Sequence, residues 1–174
     1  MAPLLPDSVT NLLKSTRYVH LGTCRDNVPH VSLMNYTYLH RDGDFVIFST
    51  PENSTKYQNI VENPHVSLLV HDWISAKSLQ APTEPREGRR NSLYELLANI
   101  NKNEISSVSV MLDGKAQILA TDDPNYGFYR SLHSNNNQID QDQAKTYIDC
   151  DNALVVVEIE KCKVTDTNNN VQEY

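Results

Sequence analysis

The chain has 174 residues, 39% of them hydrophobic, and a formal net charge of −7. That length is enough to close one core and short for two, so a single domain over residues 1–174 is expected. The acidic balance excludes a general nucleic-acid or membrane-surface binder, because such partners need a basic field that the short run Arg86, Arg89, Arg90 does not supply.

The first element is a helix over Asp7 to Lys14, followed by a strand from Arg17 to Cys24 that contains Gly22. Val28 to Leu39 is a long β-rich segment. Arg41-Asp42-Gly43-Asp44 turns it back into a second strand, Asp-Gly supplying the positive φ angles of a tight hairpin. That strand is the apolar run Phe45, Val46, Ile47, Phe48. The chain then passes through the polar turn Ser49, Thr50, Pro51, Glu52, Asn53, and Ser54, Thr55 and Lys56 open a helix.

A helix N-terminus presents unpaired N–H groups and roughly half a positive charge, so an anion placed there is stabilised. Two hydroxyls and an ammonium in that first turn add the side-chain donors that a phosphate ester needs. The plainer alternative reads Ser54 or Thr55 as only an N-cap and Lys56 as a solvated lysine, and from this stretch alone it carries the greater weight.

Glu62-Asn63-Pro64 closes the helix, and Val66 to Trp73 is a further strand. Residues 75–90 are rich in Pro, Glu, Ser and Arg and read as an exposed loop, while Asn91 to Asn101 reads as a helix with Leu93, Leu96, Leu97 and Ile100 on one face. Together they form an insertion at about 75–104. The β pattern returns over Ile105 to Thr121 as one long bent strand or a pair around Asp113-Gly114. Asp122-Asp123-Pro124 caps a helix carrying Tyr126, Phe128, Tyr129 and Leu132, which ends at Ser134 to Asn137. Ala153 to Val164 is the closing strand, and a polar tail runs from about 165. About six strands and four helices make a mainly β domain, a barrel with helices packed outside it.

Cys24, Cys150 and Cys162 are an odd number without metal-ligand spacing, and the N-terminus lacks the regions of a secretion signal. They read as reduced thiols in a cytoplasmic protein. His20, His40, His65, His71 and His133 are scattered at spacings that do not converge on a metal, and no metal is expected. Trp73 reads as barrel packing. Alternation puts Glu158 and Glu160 on the solvent face of the closing strand, and no residue is singled out as catalytic.

The order of elements from Leu12 to Trp73, with PHVSLMNY, FVIFST, the Lys56-bearing helix start and ENPHVSLLV, resembles the pyridoxamine 5'-phosphate oxidase family. The resemblance implies a six-stranded FMN-binding split β-barrel with Greek-key order, working as a homodimer. In that family the flavin ring lies along the strand corresponding to His30, Val31, Ser32, Leu33, Met34 and Asn35, with backbone groups of the middle four on its pyrimidine edge. Ser49 and Thr50 match residues on the ring or ribityl chain, and Thr55 and Lys56 match those that hold the phosphate.

The family usually places Arg-Lys at the last two positions and Arg at the start of the first strand, where this chain has Thr55-Lys56 and His30. Phosphate binding is therefore expected to be weaker and more dependent on pH. The resemblance also implies a second subunit completing the site through the strand around Ser107, Ser109 and Lys115. On the helix after the long strand it keeps Tyr129 for a substrate, with His133 and Asn137 where the family has arginine and serine. That is a poor phosphate clamp, with Arg130 on an adjacent face as the one substitute, so the expected protein binds FMN, oxidises a small molecule and has little or no pyridoxamine phosphate oxidase activity. The alternatives are a structural or sensory flavin protein and a relative that has exchanged FMN for haem or a deazaflavin.

Overall fold

A computed structural model describes residues 5–72, 108–136 and 152–174. The expected insertion at about 75–104, its Asn91 to Asn101 helix, Trp73, Ser107, Asn137 and Cys150 lie outside the described residues. Those described form a mainly β domain with three helices: α1 (Asp7–Ser15), β1 (Tyr18–Arg25), β2 (Val28–Asn35), β3 (Thr37–His40), β4 (Asp44–Pro51), α2 (Thr55–Glu62), β5 (His65–His71), β6 (Ser109–Leu119), α3 (Tyr126–Asn136), β7 (Asn152–Thr165) and β8 (Val171–Glu173).

The strands form one sheet in the order β2-β1-β5-β6-β7-β4-β3, all neighbours antiparallel, with β8 added to β7. Its two ends, β2 and β3, are separated in the chain by Tyr36 alone, so the sheet curls into a barrel whose seam runs along that strand. The expected count of about six strands becomes eight among the described residues, because the segment from Val28 to Leu39 changes partner at Tyr36 and because the tail pairs. Inward alternation continues through that change. Met34, Tyr36 and Tyr38 all join the main core, while Thr37 and Leu39 face the other side.

Two hairpins fix the register. Asp26 and Asn27, both at positive φ, join β1 to β2, and Asp42 at φ 52° joins β3 to β4. The bend expected near Asp113-Gly114 is a bulge in the β6–β7 ladder. Glycine is required there, since a Cβ on Gly114 would lie 2.4 Å from the Glu158 carbonyl oxygen.

The core fills the barrel with Leu21, Val46, Phe48, Leu68, Leu112 and Val157, and α1 covers one end with Val9, Leu12 and Leu13. Tyr36 ties that helix down, its hydroxyl donating to the Leu13 carbonyl at 2.8 Å and meeting Thr16 Oγ1 at 2.5 Å. A second, smaller core of Ile47, Leu119, Leu154 and Val156 lies outside the barrel beneath α3. The tail forms a strand through its turn: Asp166 Oδ1 accepts the Asn168 and Asn170 N–H groups at 2.8 and 2.9 Å, with Asn169 at φ 59°.

Candidate functional site

The helix expected after the second strand begins at Thr55, with Ser54 as its N-cap, the Ser54 hydroxyl accepting the Tyr57 N–H at 3.3 Å. Thr50 supports that cap. It is fully buried, and its hydroxyl meets the Ser54 hydroxyl at 2.9 Å. Gln58 N–H bonds the Ser54 carbonyl, so the N–H groups of Thr55 and Lys56 are the ones left for an anion at the helix end. Lys56 is half-buried beside them.

Helix α2 is held on the barrel by polar contacts that its apolar pattern does not reveal. Buried Asn59 donates to Thr23 Oγ1 at 3.0 Å, and Asn63 donates to the Cys24 carbonyl at 3.0 Å. Thr23 faces His30 across the β1–β2 ladder, so α2 is fixed next to the strand expected to carry the flavin ring. The helix touches β1, β2, β4 and β6.

Along β2, His30, Ser32 and Met34 point inward while Val31, Leu33 and Asn35 point outward. Met34 is core. His30 Nδ1 and Ser32 Oγ are buried and have no hydrogen-bond partner among the described residues. Two such atoms, two residues apart on one face, are costly unless something binds them. Along its other edge β2 meets no described strand, so half of its backbone N–H and C=O groups face away from the ladder. The donor set at this corner fits a flavin phosphate: a helix terminus, one ammonium, hydroxyls and an imidazole.

The remaining expected residues are placed differently. Ser49 and Thr50 alternate to opposite faces of β4, so their side chains do not meet one ligand, and the Thr50 hydroxyl is engaged with Ser54. Ser109 and Lys115 lie on the outer face of β6, separated from β2 by β5 and β1. His133 is buried under α3, its Nδ1 meeting Thr37 Oγ1 at 2.9 Å, where Asn136 also donates at 3.2 Å. Burial holds its imidazole down to about 4, so it is neutral near pH 7. It fastens the helix to β3 and does not line the neighbouring cavity, as the expected substrate role requires.

Tyr129 does line that cavity, a space of about 430 Å³ between α3 and the outer face of β4, β7 and β6. Lys115 shares it, together with Phe45, Asp123, Asn125 and Glu158. Sequence reasoning read Asp123 only as a helix cap and Glu158 only as a solvated strand residue. Asp123 does act as a cap, accepting the Asn125 N–H at 2.8 Å on Oδ1. Only the cross-strand register, which sets Lys115 opposite Glu158, brings these charges together.

The family model described as pyridoxamine 5'-phosphate oxidase matches residues 5–166. A Schizosaccharomyces pombe protein described as a pyridoxamine 5'-phosphate oxidase homolog is 36% identical over 178 residues, covering 97% of this chain and 90% of its own length. Among solved structures, an FAD-binding protein from Mesorhizobium loti aligns with a TM-score of 0.58 at 17% identity, covering 92% of each chain. A haem-binding protein from Mycobacterium smegmatis aligns with a TM-score of 0.64 at 17% identity, covering 99% of this chain and 59% of that one. These two likenesses speak for the fold, whereas the sequence match runs through the barrel from α1 to the end of β7: the chain belongs to the pyridoxamine 5'-phosphate oxidase family.

Proposed function

We propose that this chain binds FMN at the corner between β2 and the start of α2 and acts as a flavin-dependent oxidoreductase on a small molecule. The observation that carries the reading is the pair of buried atoms His30 Nδ1 and Ser32 Oγ, without a hydrogen-bond partner among the described residues, on a strand that α2 touches. When bound, a flavin supplies hydride or electron transfer. The protein's own part is electrostatic and steric. Lys56 and the Thr55 and Lys56 N–H groups stabilise the phosphate, His30 and Ser32 offer polar atoms to the ligand, and the open edge of β2 offers backbone donors and acceptors.

The active species is a homodimer in this reading. Leu33, Leu69 and Met111 form an exposed apolar row on the outer face of β2, β5 and β6, with His20 of β1 between the first two in the register. Ser109 and Lys115, far from β2 within one chain, then reach a flavin only from the second copy. Pyridoxamine phosphate is a poor substrate, because His133 is committed to Thr37 and Arg130, the cation of α3, donates to the Tyr126 hydroxyl at 2.9 Å.

The test is anaerobic. FMN-loaded protein is mixed with NADH or NADPH and a panel of small-molecule donors, and bleaching of the flavin band is followed. Bleaching by at least one donor supports the oxidoreductase; a flavin inert to every donor supports a structural or sensory role; and ready turnover of pyridoxamine phosphate contradicts the substrate reading.

Haem is the second reading. The Mycobacterium smegmatis relative is a haem-binding protein, and here His20 and His71 stack at 5.7 Å on the outer face. A Soret band that grows with added haemin and is lost in a His20→Ala variant favours it over flavin.

A further inference from the structure

The cavity beneath α3 has a charge pattern that selects its ligand. Its floor is apolar and buried, made by Leu119 of β6 and Val156 of β7. Phe45 of β4 and Tyr129 of α3 present aromatic rings to it. At about 430 Å³ it suits a single substituted ring.

Three charged side chains line it among the described residues: Lys115, Asp123 and Glu158. Lys115 and Glu158 are partners in the β6–β7 register and both point outward, so the ammonium and that carboxylate share one side of the cavity. Asp123 engages Oδ1 with the Asn125 N–H, and Oδ2 has no partner among the described residues. One cation against two carboxylates leaves one negative charge in excess among the described lining residues. A phosphate dianion entering the cavity meets two carboxylates against one ammonium. An ammonium meets a carboxylate oxygen without a partner among the described residues and two aromatic rings, whose faces attract a cation.

We propose that this cavity is a binding site for a planar aromatic or heteroaromatic amine that carries a positive charge and no phosphate. The inference names a ligand class for the small molecule left open above, and rests on the flavin reading only for that ligand's fate; binding itself does not need the flavin. The excess carboxylate sets the sign of the selectivity, and the aromatic pair and apolar floor set the ring.

Pyridoxamine and pyridoxamine 5'-phosphate make a matched pair of probes, because they share the ring and amine and differ by the phosphate. Isothermal titration of the full chain with each is expected to show pyridoxamine binding at least about tenfold tighter, a preference that shrinks as salt is raised. Glu158→Gln, at an exposed strand position, is expected to narrow the gap, and Glu158→Lys to reverse it, with thermal melts confirming that both variants fold. Asp123→Asn keeps the capping oxygen and gives a second reading should either strand variant unfold. Equal or tighter binding of the phosphate, a gap that none of the folded variants moves, or no binding of either probe at millimolar concentration overturns the proposal. Flavin retention is measured in the same samples by fluorescence. Amine preference without FMN binding leaves this inference standing and removes the flavin reading, and FMN binding without amine preference does the reverse.

Discussion

Replacing Ser32 by alanine separates a ligand-binding hydroxyl from a structural one by the sign of two measurements. Ser32 sits opposite Leu21 in the β1–β2 ladder, and its hydroxyl oxygen is buried with no partner among the described residues. A buried hydroxyl left unsatisfied costs about 1–3 kcal/mol, and alanine removes the polar atom while keeping nearly the same volume. Cofactor-free Ser32→Ala protein is therefore expected to be more stable than the parent by about 1 kcal/mol or more. In a chain of this size that raises the melting temperature by about 2–4 °C per kcal/mol. FMN binding moves the other way: loss of one hydrogen bond, about 0.5–1.5 kcal/mol, weakens it by about 2- to 12-fold. Urea unfolding of the cofactor-free protein and a flavin fluorescence titration give the two numbers. A variant less stable than the parent, or one with unchanged FMN affinity, refutes the reasoning, since the hydroxyl then has a partner inside the fold or plays no part in binding.

Gly114→Ala forces a Cβ to within 2.4 Å of a backbone oxygen that the bulge holds in place, so a loss of about 1–3 kcal/mol or more is expected in urea unfolding, and parental stability contradicts the bulge. His133 titrates at about 4 in the fold against 6.5 ordinarily, so the unfolded chain binds the extra proton between those values. Stability is then fully present above pH 6.5 and falls by on the order of 3 kcal/mol as pH drops to about 4; His133→Gln should lose less stability between pH 7.5 and 4.5 than the parent, and an identical loss refutes this. Leu69→Arg places a charge in the exposed apolar row; sedimentation is expected to show a dimer for the parent and monomers for the variant, and a monomeric parent or an unchanged coefficient contradicts an interface on that row.

Elements whose cause is local were readable in the sequence. The Asp42-Gly43 turn, the Ser54 cap and the α1 stripe of Val9, Leu12 and Leu13 each announce themselves by residue type at the right spacing. The change of partner at Tyr36 was not readable, because the in-out alternation from His30 to Tyr38 continues unbroken through it. Strand β8 was missed because it is held by backbone pairing and an Asp166 turn and buries almost no apolar surface; the run Asp166-Thr-Asn-Asn-Asn was the available signal. The helix start at Thr55, with Lys56 in its first turn, was readable from sequence, whereas the placements of Thr50 and His133 depended on single partners, Ser54 and Thr37. Thr37 lies 96 residues from His133, and no periodicity encodes that bond. The cavity beneath α3 is likewise a product of register, with Lys115 and Glu158 adjacent only because two strands align.

In the proposed reading the α2 terminus holds the phosphate of a flavin. Titrating FMN into cofactor-free parent and Lys56→Ala protein, with riboflavin as the phosphate-free control, tests it most directly. Saturable FMN binding that Lys56→Ala weakens by about 1–3 kcal/mol is expected, together with riboflavin binding that the same substitution leaves alone. FMN and riboflavin binding with equal affinity, or a Lys56→Ala variant that retains FMN as the parent does, would contradict it.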